Sequence, residues 1–313
     1  MRIALLGCTG QIGKGLARGL ASDHALSLYA RRPQVMRDRL TDWGLAARVF
    51  DLTDFPSGDF DLILNAIGDG VPGKIRAAGP ILRETTERFD RQCLDHLDRN
   101  PACGYIFLST GRIYGEQYEA AAGPDPRPLP AERLADAPYP MAKLEAECRH
   151  RTRGADRIAD IRIFGYVSDE IDLNSDFLVA QMLHALVHET DFATTGRDFV
   201  RDYVGPQDLL ALIARLIAAD IPNGAYDLVS AGPATKFELL QALARRFGFR
   251  YTSDGAQQPC GAAPKTISRH TGAQAIGYVP QKTSLETVLG CAEMIRRRMS
   301  VQGMPPEDRR TAS

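Results

Sequence analysis

Tyr139 and Lys143 stand four residues apart in the run Tyr139-Pro140-Met141-Ala142-Lys143. On a helix that spacing places both side chains on one face. A free tyrosine titrates near ~10, too high for a base at neutral pH, and a neighbouring ammonium favours the phenolate and lowers that value. The pair therefore suits proton transfer to and from a reacting oxygen. Thr110, in Leu108-Ser109-Thr110-Gly111-Arg112-Ile113-Tyr114-Gly115, could hold a substrate oxygen beside the tyrosine. A third group opens the chain, Gly7-Cys8-Thr9-Gly10-Gln11-Ile12-Gly13. Its spacing is G-x-x-G-x-x-G, and its chemistry is the cradling of a pyrophosphate.

That chemistry depends on a strand before the glycines and a helix after them. Ile3-Ala4-Leu5-Leu6 reads as a buried strand, and Ile12, Leu16 and Leu20 form one apolar helical face. In that setting Gly7 permits the tight turn, Gly10 lets backbone approach phosphate, and Gly13 lets helix and strand pack closely. Strand patterns continue at Ala25–Ala30, Ala47–Phe50 (ending at Asp51), Asp61–Ile67, Tyr105–Leu108 and Ala159–Phe164. A short helix is expected after Pro33 and a long one near residues 79–99, after a polar loop holding Gly68, Gly70, Pro72 and Gly73. The alternation implies an α/β fold, a Rossmann-type doubly wound parallel sheet covered on both faces. Residues 115–138 lack periodicity and read as a long loop over a site. Helices follow around Phe177–Val187, Leu209–Ile217 and Phe237–Phe247, the last stopped by Gly248, and Thr283 with Glu286 has the capping-box pattern. The expected division is a dinucleotide-binding domain over 1–164, completed by parts of 199–230. A smaller substrate-binding domain lies mainly in 165–299, and a frayed tail runs from 300 to 313.

The 313 residues carry a net charge of −1, so no basic excess points to nucleic acid. Six cysteines (Cys8, Cys93, Cys103, Cys148, Cys260 and Cys291) show no metal-ligand spacing and read as reduced thiols. Cys8 and Cys148 read as small packing residues rather than nucleophiles. His184 and His188 have i, i+4 spacing, but no carboxylate completes an H-E-x-x-H pattern, so they read as helix surface and no metal is expected. A chain opening directly into a strand, with no long apolar run, reads as a cytoplasmic protein without signal peptide or membrane span.

Taken in order, Thr9-Gly10-Gln11-Ile12-Gly13, Leu108–Gly115 and Tyr139–Lys143 resemble the extended short-chain dehydrogenase/reductases, a group of nucleotide-sugar epimerases, dehydratases and reductases. Arg201-Asp202-Tyr203-Val204 with Asp208, and Tyr226-Asp227-Leu228-Val229-Ser230, are weaker matches, and the resemblance runs to about residue 290. It implies a seven-stranded Rossmann sheet, a nicotinamide cofactor and a smaller domain closing over an activated sugar. It makes Thr110, Tyr139 and Lys143 catalytic, with Lys143 also bonding the nicotinamide ribose. The cofactor residues would be Gly7, Thr9, Gly10, Gln11, Ile12, Gly13, Asp51, Leu52, Ala66, Ile67, Tyr139 and Lys143. Arg201 would touch the substrate's diphosphate, and Asn174 either supplies an amide to the sugar or is a turn residue. A homodimer formed through the helix bearing Tyr139 and Lys143 is also implied.

Cofactor choice is readable at the end of the second strand, where an acidic residue would bond the ribose of NAD. The chain has Tyr29-Ala30-Arg31-Arg32 there, and two guanidinium groups suit a 2′-phosphate, so NADP(H) is expected. Where related dehydratases carry Asp-Glu after the catalytic threonine, this chain has Gly111-Arg112, which excludes the usual elimination. The expected activity is an NADP(H)-dependent oxidoreductase acting on a nucleotide-activated keto-sugar, with reduction favoured. An epimerase retaining its cofactor, and a non-catalytic NADP-binding regulator, are the alternatives.

Overall fold

The computed structural model describes residues 1–68, 72–115, 128–134, 136–255 and 265–302. The first half alternates β1 (Arg2–Leu6), α1 (Gln11–Leu20), β2 (Ala25–Ala30), α2 (Pro33–Trp43), β3 (Arg48–Asp51) and β4 (Leu62–Asn65). It continues with α3 (Pro72–Arg99), β5 (Gly104–Thr110), α4 (Pro138–Thr152) and β6 (Ile158–Ile163). The second half holds α5 (Leu178–Val187), β7 (Phe192–Thr195), β8 (Val200–Arg201), α6 (Pro206–Ala218), β9 (Gly224–Leu228) and β10 (Ala234–Thr235). It ends with α7 (Lys236–Phe247), β11 (Tyr251–Asp254), β12 (Lys265–Thr266), α8 (Gly272–Ala275) and α9 (Ser284–Gln302).

Seven strands form one parallel sheet in the order β3-β2-β1-β4-β5-β6-β9. The order reverses between β1 and β4, and ligands of such sheets bind in the crevice at that switch, beyond the carboxyl ends of the strands. Strands buried on both faces read as continuous apolar runs, and Ile3, Ala4, Leu5 and Leu6 are all fully buried. One core packs α1, α2 and α6 against the sheet through Leu16, Met36, Leu212 and Ile213. The opposite face is covered by α3 and α4 through Phe89, Cys93, Leu97 and Ala146. A separate core joins α5, α7 and α9 through Leu183, Leu240 and Ile295.

Two element boundaries differ from the sequence reading. Helix α3 starts at Pro72, not near residue 79. Proline at a helix start loses no bond, because that N–H has no intrahelical partner, so the Gly/Pro-rich composition that suggests a loop here begins a helix. Helix α9 runs to Gln302, past the expected fraying point at 300, and residues 303–313 lie outside the described residues. The expected 115–138 loop contains a short 3-10 turn at Ala131–Leu134, while 116–127 and Cys260 also lie outside the described residues. Reciprocal bonds between Thr283 and Glu286 form the expected capping box before α9.

Candidate active site

Glycine is required twice in the loop between β1 and α1. Gly7 has φ +76°, and a Cβ there would lie 2.8 Å from the Ala66 carbonyl oxygen on β4's carboxyl side. A Cβ on Gly13 would lie 2.3 Å from the Gly7 oxygen and 2.7 Å from Cys8 Cα. At Gly10 the nearest atom is the Gly7 oxygen at 3.4 Å, so the loop is open on that side. Gly10 caps α1 with no side-chain acceptor, which leaves first-turn N–H groups for a ligand. These features fit a diphosphate. Thr9 and Ile12 are half-buried in the loop, and the Gln11 amide turns away to donate to Tyr166 O and Ser168 Oγ, each at 3.4 Å.

At the ends of the next strands, Arg31 and Arg32 are exposed after β2 and have no ion pair among the described residues. Asp51 ends β3 and spends Oδ1 on the Thr53 N–H and hydroxyl, at 2.9 and 2.7 Å; these bonds hold its carboxyl below the ordinary range. Leu52 beside it is buried.

Helix α4 carries both Tyr139 and Lys143, and Thr110 is the last residue of β5. Lys143 is buried, and its Nζ donates to Ile67 O at 2.9 Å and Leu108 O at 2.7 Å. An ammonium has three protons, so one remains for a ligand. Burial depresses this lysine from 10.5 to about 7, against the raising pull of Asp90, Asp160 and Glu147. Gly68, at φ +149°, closes over the pair: a Cβ there would lie 3.2 Å from Lys143 Nζ and 3.7 Å from the Tyr139 ring. Thr110 Oγ1 accepts from the Arg112 N–H at 3.2 Å. That bond uses one of the two lone pairs and leaves the hydroxyl able to donate its own proton to a ligand.

Two buried charge networks that the sequence reading missed fix this arrangement. Glu147 lies one further turn along the Tyr139–Lys143 face. It accepts from Ser109 Oγ at 2.5 Å and from Arg162 Nη2 at 2.6 Å. Arg162 Nη1 also reaches Tyr114 OH at 2.5 Å, and Tyr114 bonds Asp227 at 3.0 Å. The network thus ties α4, the end of β5, β6 and β9 together. In the second network the imidazole of His150 sits between Asp90 at 2.7 Å and Asp160 at 2.6 Å, with all three side chains fully buried. Tyr105 OH bonds Asp90 at 3.1 Å and accepts from Asn65, whose Oδ1 in turn accepts from the Ile67 N–H at 3.0 Å. Ile67 is the residue whose carbonyl holds Lys143.

The remaining residues expected at the site are more dispersed. Arg201 is half-buried on β8 with its guanidinium 5.3 Å from the centre of the Phe199 ring. Asn174 is exposed, and its backbone N–H donates to Asp172 Oδ1 at 3.0 Å, the geometry of a turn residue. Cys8 is fully buried and pushed up to about 12 by burial, as a packing thiol should be. Cys148 is exposed, which corrects its reading as a packing residue: it lies on the outward side of α4. The His184 and His188 rings are tilted against each other with centres 4.3 Å apart, and no His, Cys, Asp or Glu cluster suited to a metal occurs among the described residues.

The sheet order, the glycine loop at its first crossover and the second helical core define a Rossmann-type α/β protein with an added small subdomain. No family model matches the sequence, and no curated protein matches it. Solved structures do match over nearly the full length. A UDP-glucose 4-epimerase from Stenotrophomonas maltophila, with bound NAD and formylated UDP-arabinopyranose, superposes with TM-score 0.79 at 17% identity, covering 97% of this chain and 100% of that one. A UDP-N-acetylglucosamine 4-epimerase from Methanobrevibacter ruminantium, in complex with UDP-N-acetylmuramic acid, gives 0.78 at 15% identity, covering 95% and 99%. A UDP-glucuronic acid 4-epimerase from Bacillus cereus, in complex with UDP-glucuronic acid and NAD, gives 0.76 at 16% identity, covering 95% and 100%. The chain therefore has the fold of these UDP-sugar 4-epimerases, the seven-stranded Rossmann fold that its motifs imply. No helix is long and apolar enough to cross a membrane among the described residues.

Proposed function

We propose that this chain is a nicotinamide-dependent enzyme that moves hydride to and from a nucleotide-activated sugar. The observation that supports the reading is buried Lys143, held by the carbonyls of Ile67 after β4 and Leu108 in β5, with Gly68 close to both Lys143 and the Tyr139 ring, Thr110 ending β5, and a glycine loop open at Gly10. The bound nicotinamide supplies the hydride acceptor or donor. The phenol of Tyr139 holds the proton that leaves or joins the sugar oxygen. Lys143 favours the phenolate when charged, and its third N–H suits a ribose hydroxyl. Thr110 donates to the sugar oxygen and orients it. Gly111 and Arg112 offer no acid or base for eliminating water, and a side chain at position 111 would strike the Phe164 ring, 2.4 Å from its Cβ.

Epimerisation is the form of this chemistry that the solved neighbours favour, since those compared are 4-epimerases. Net reduction is supported by Arg31 and Arg32, which suit the 2′-phosphate of NADPH. The neighbours' complexes are with NAD, and their sugars are both neutral and acidic, so neither cofactor phosphorylation nor sugar is taken from them. A homodimer through the outward faces of α3 and α4 belongs to the same reading. The test is incubation of cofactor-loaded protein with UDP-sugars and their 4-keto forms. Interconversion of epimers without net change in nicotinamide absorbance supports the epimerase. Stoichiometric NADPH oxidation with a keto-sugar supports the reductase. Neither reaction with any UDP-sugar refutes the proposal.

A further inference from the structure

Arg112 occupies an unusual place. The four-residue 3-10 turn Gly111–Tyr114 follows Thr110 directly, and Gly111, Ile113 and Tyr114 are all buried in it. Gly111 lies flat on Phe164, whose ring stacks on Tyr114 at 6.1 Å, and Ile113 O accepts from the Leu129 N–H at 2.9 Å. The turn also packs against α4, the helix of Tyr139 and Lys143. Arg112 is the one exposed residue of this pinned turn, and its guanidinium has no hydrogen bond or ion pair among the described residues. Its backbone nitrogen is 3.2 Å from Thr110 Oγ1. Arg162, by contrast, is paired with Glu147, and Arg31 and Arg32, which are also exposed, lie after β2 rather than beside Thr110.

A guanidinium exposed beside Thr110, with no partner among the described residues, suits a planar anion. Its side chain is long enough to reach a group a few bonds from an oxygen held by Thr110. When that oxygen is on C4 of a hexopyranose, the C6 substituent is three bonds away. The geometry points to a substrate whose sugar is a hexuronic acid, its C6 carboxylate bound bidentately by Arg112. This inference rests on the nucleotide-sugar reading and names the class of sugar within it. A neutral C6 hydroxymethyl offers no charge to the guanidinium. A charge-assisted bond of this kind discriminates by about tenfold to a hundredfold.

Calorimetric titration of full-length protein, saturated with NAD or NADP, tests this with UDP-glucuronic acid, UDP-glucose and UDP as probes. UDP-glucuronic acid should bind at least about tenfold more tightly than UDP-glucose. In Arg112→Gln that ratio should fall to about one, and Arg112→Lys, which keeps the charge but loses the fork, should fall between. Melting temperatures verify that both variants are folded. Equal affinity for the two sugars in the parent protein, or a ratio unchanged in Arg112→Gln, overturns the assignment while UDP binding leaves the nucleotide-sugar reading standing. Failure of UDP and both sugars to bind overturns the two together.

Discussion

Replacing His150 by glutamine should remove a pH dependence that the structure assigns to one buried imidazole. His150 would be depressed by burial alone, but the charge and hydrogen bond of Asp160 and those of Asp90 outweigh it, raising the group from 6.5 to about 9. Asp90 is also bound by Arg149, and against the raising effect of burial His150 and Arg149 together hold its carboxyl below the ordinary range, while Asp160 is paired with Arg151. A base whose folded value lies above its unfolded value stabilises fully below the unfolded value, and that stability is lost as pH rises through the folded value. The rise from 6.5 to about 9 corresponds to about 3 kcal/mol. Lys143 acts in the opposite sense. Its depression from 10.5 to about 7 makes stability grow with pH above 7, so the parent protein alone shows a partly cancelled profile. The difference between parent and His150→Gln cancels the lysine. Urea unfolding at intervals from pH 6 to 9.5 should show that difference shrinking by about 3 kcal/mol, mostly between pH 6.5 and 9. A difference that stays flat across the range refutes the imidazolium between two carboxylates.

Other perturbations separate the parts of the site. Tyr139→Phe should lower turnover by at least about a hundredfold while leaving dinucleotide affinity nearly unchanged, as read by steady-state rates and cofactor fluorescence. Gly13→Val places side-chain atoms where a Cβ already lies 2.3 Å from the Gly7 oxygen. Dinucleotide binding should be lost, and stability should fall by about 1–3 kcal/mol in chemical denaturation. The double substitution Arg31→Ala, Arg32→Ala should weaken NADPH by at least about tenfold and NADH by far less, and equal losses would show that these arginines do not read the phosphate.

The sheet was legible because its strands are buried on both faces and interrupted by glycine and proline. The Tyr139, Lys143 and Gly7–Gly13 patterns were legible because their geometry is local to one turn or one helix. What supports them was not, because it is assembled across the sheet. Glu147 could have been found as the next turn of the Tyr139–Lys143 face. Asp160 and Arg162 carried a signal too: charged residues within a strand buried on both sides require partners. Their partners, His150 on α4 and Glu147 one turn before it, are ordinary surface-type residues in sequence and become buried only where α4 lies on β5 and β6. The start of α3 was hidden by its own glycines and prolines, since composition is a weaker determinant there than the first-turn tolerance of Pro72.

The most direct test of the account is a titration of cofactor-stripped protein with NADPH and with NADH, followed by ligand fluorescence. Saturable binding of both, tighter for NADPH, is the result that the open glycine loop and the exposed Arg31 and Arg32 predict. Tighter binding of NADH would contradict the arginine assignment and leave the epimerase reading ahead, whereas no binding of either would contradict the dinucleotide site itself.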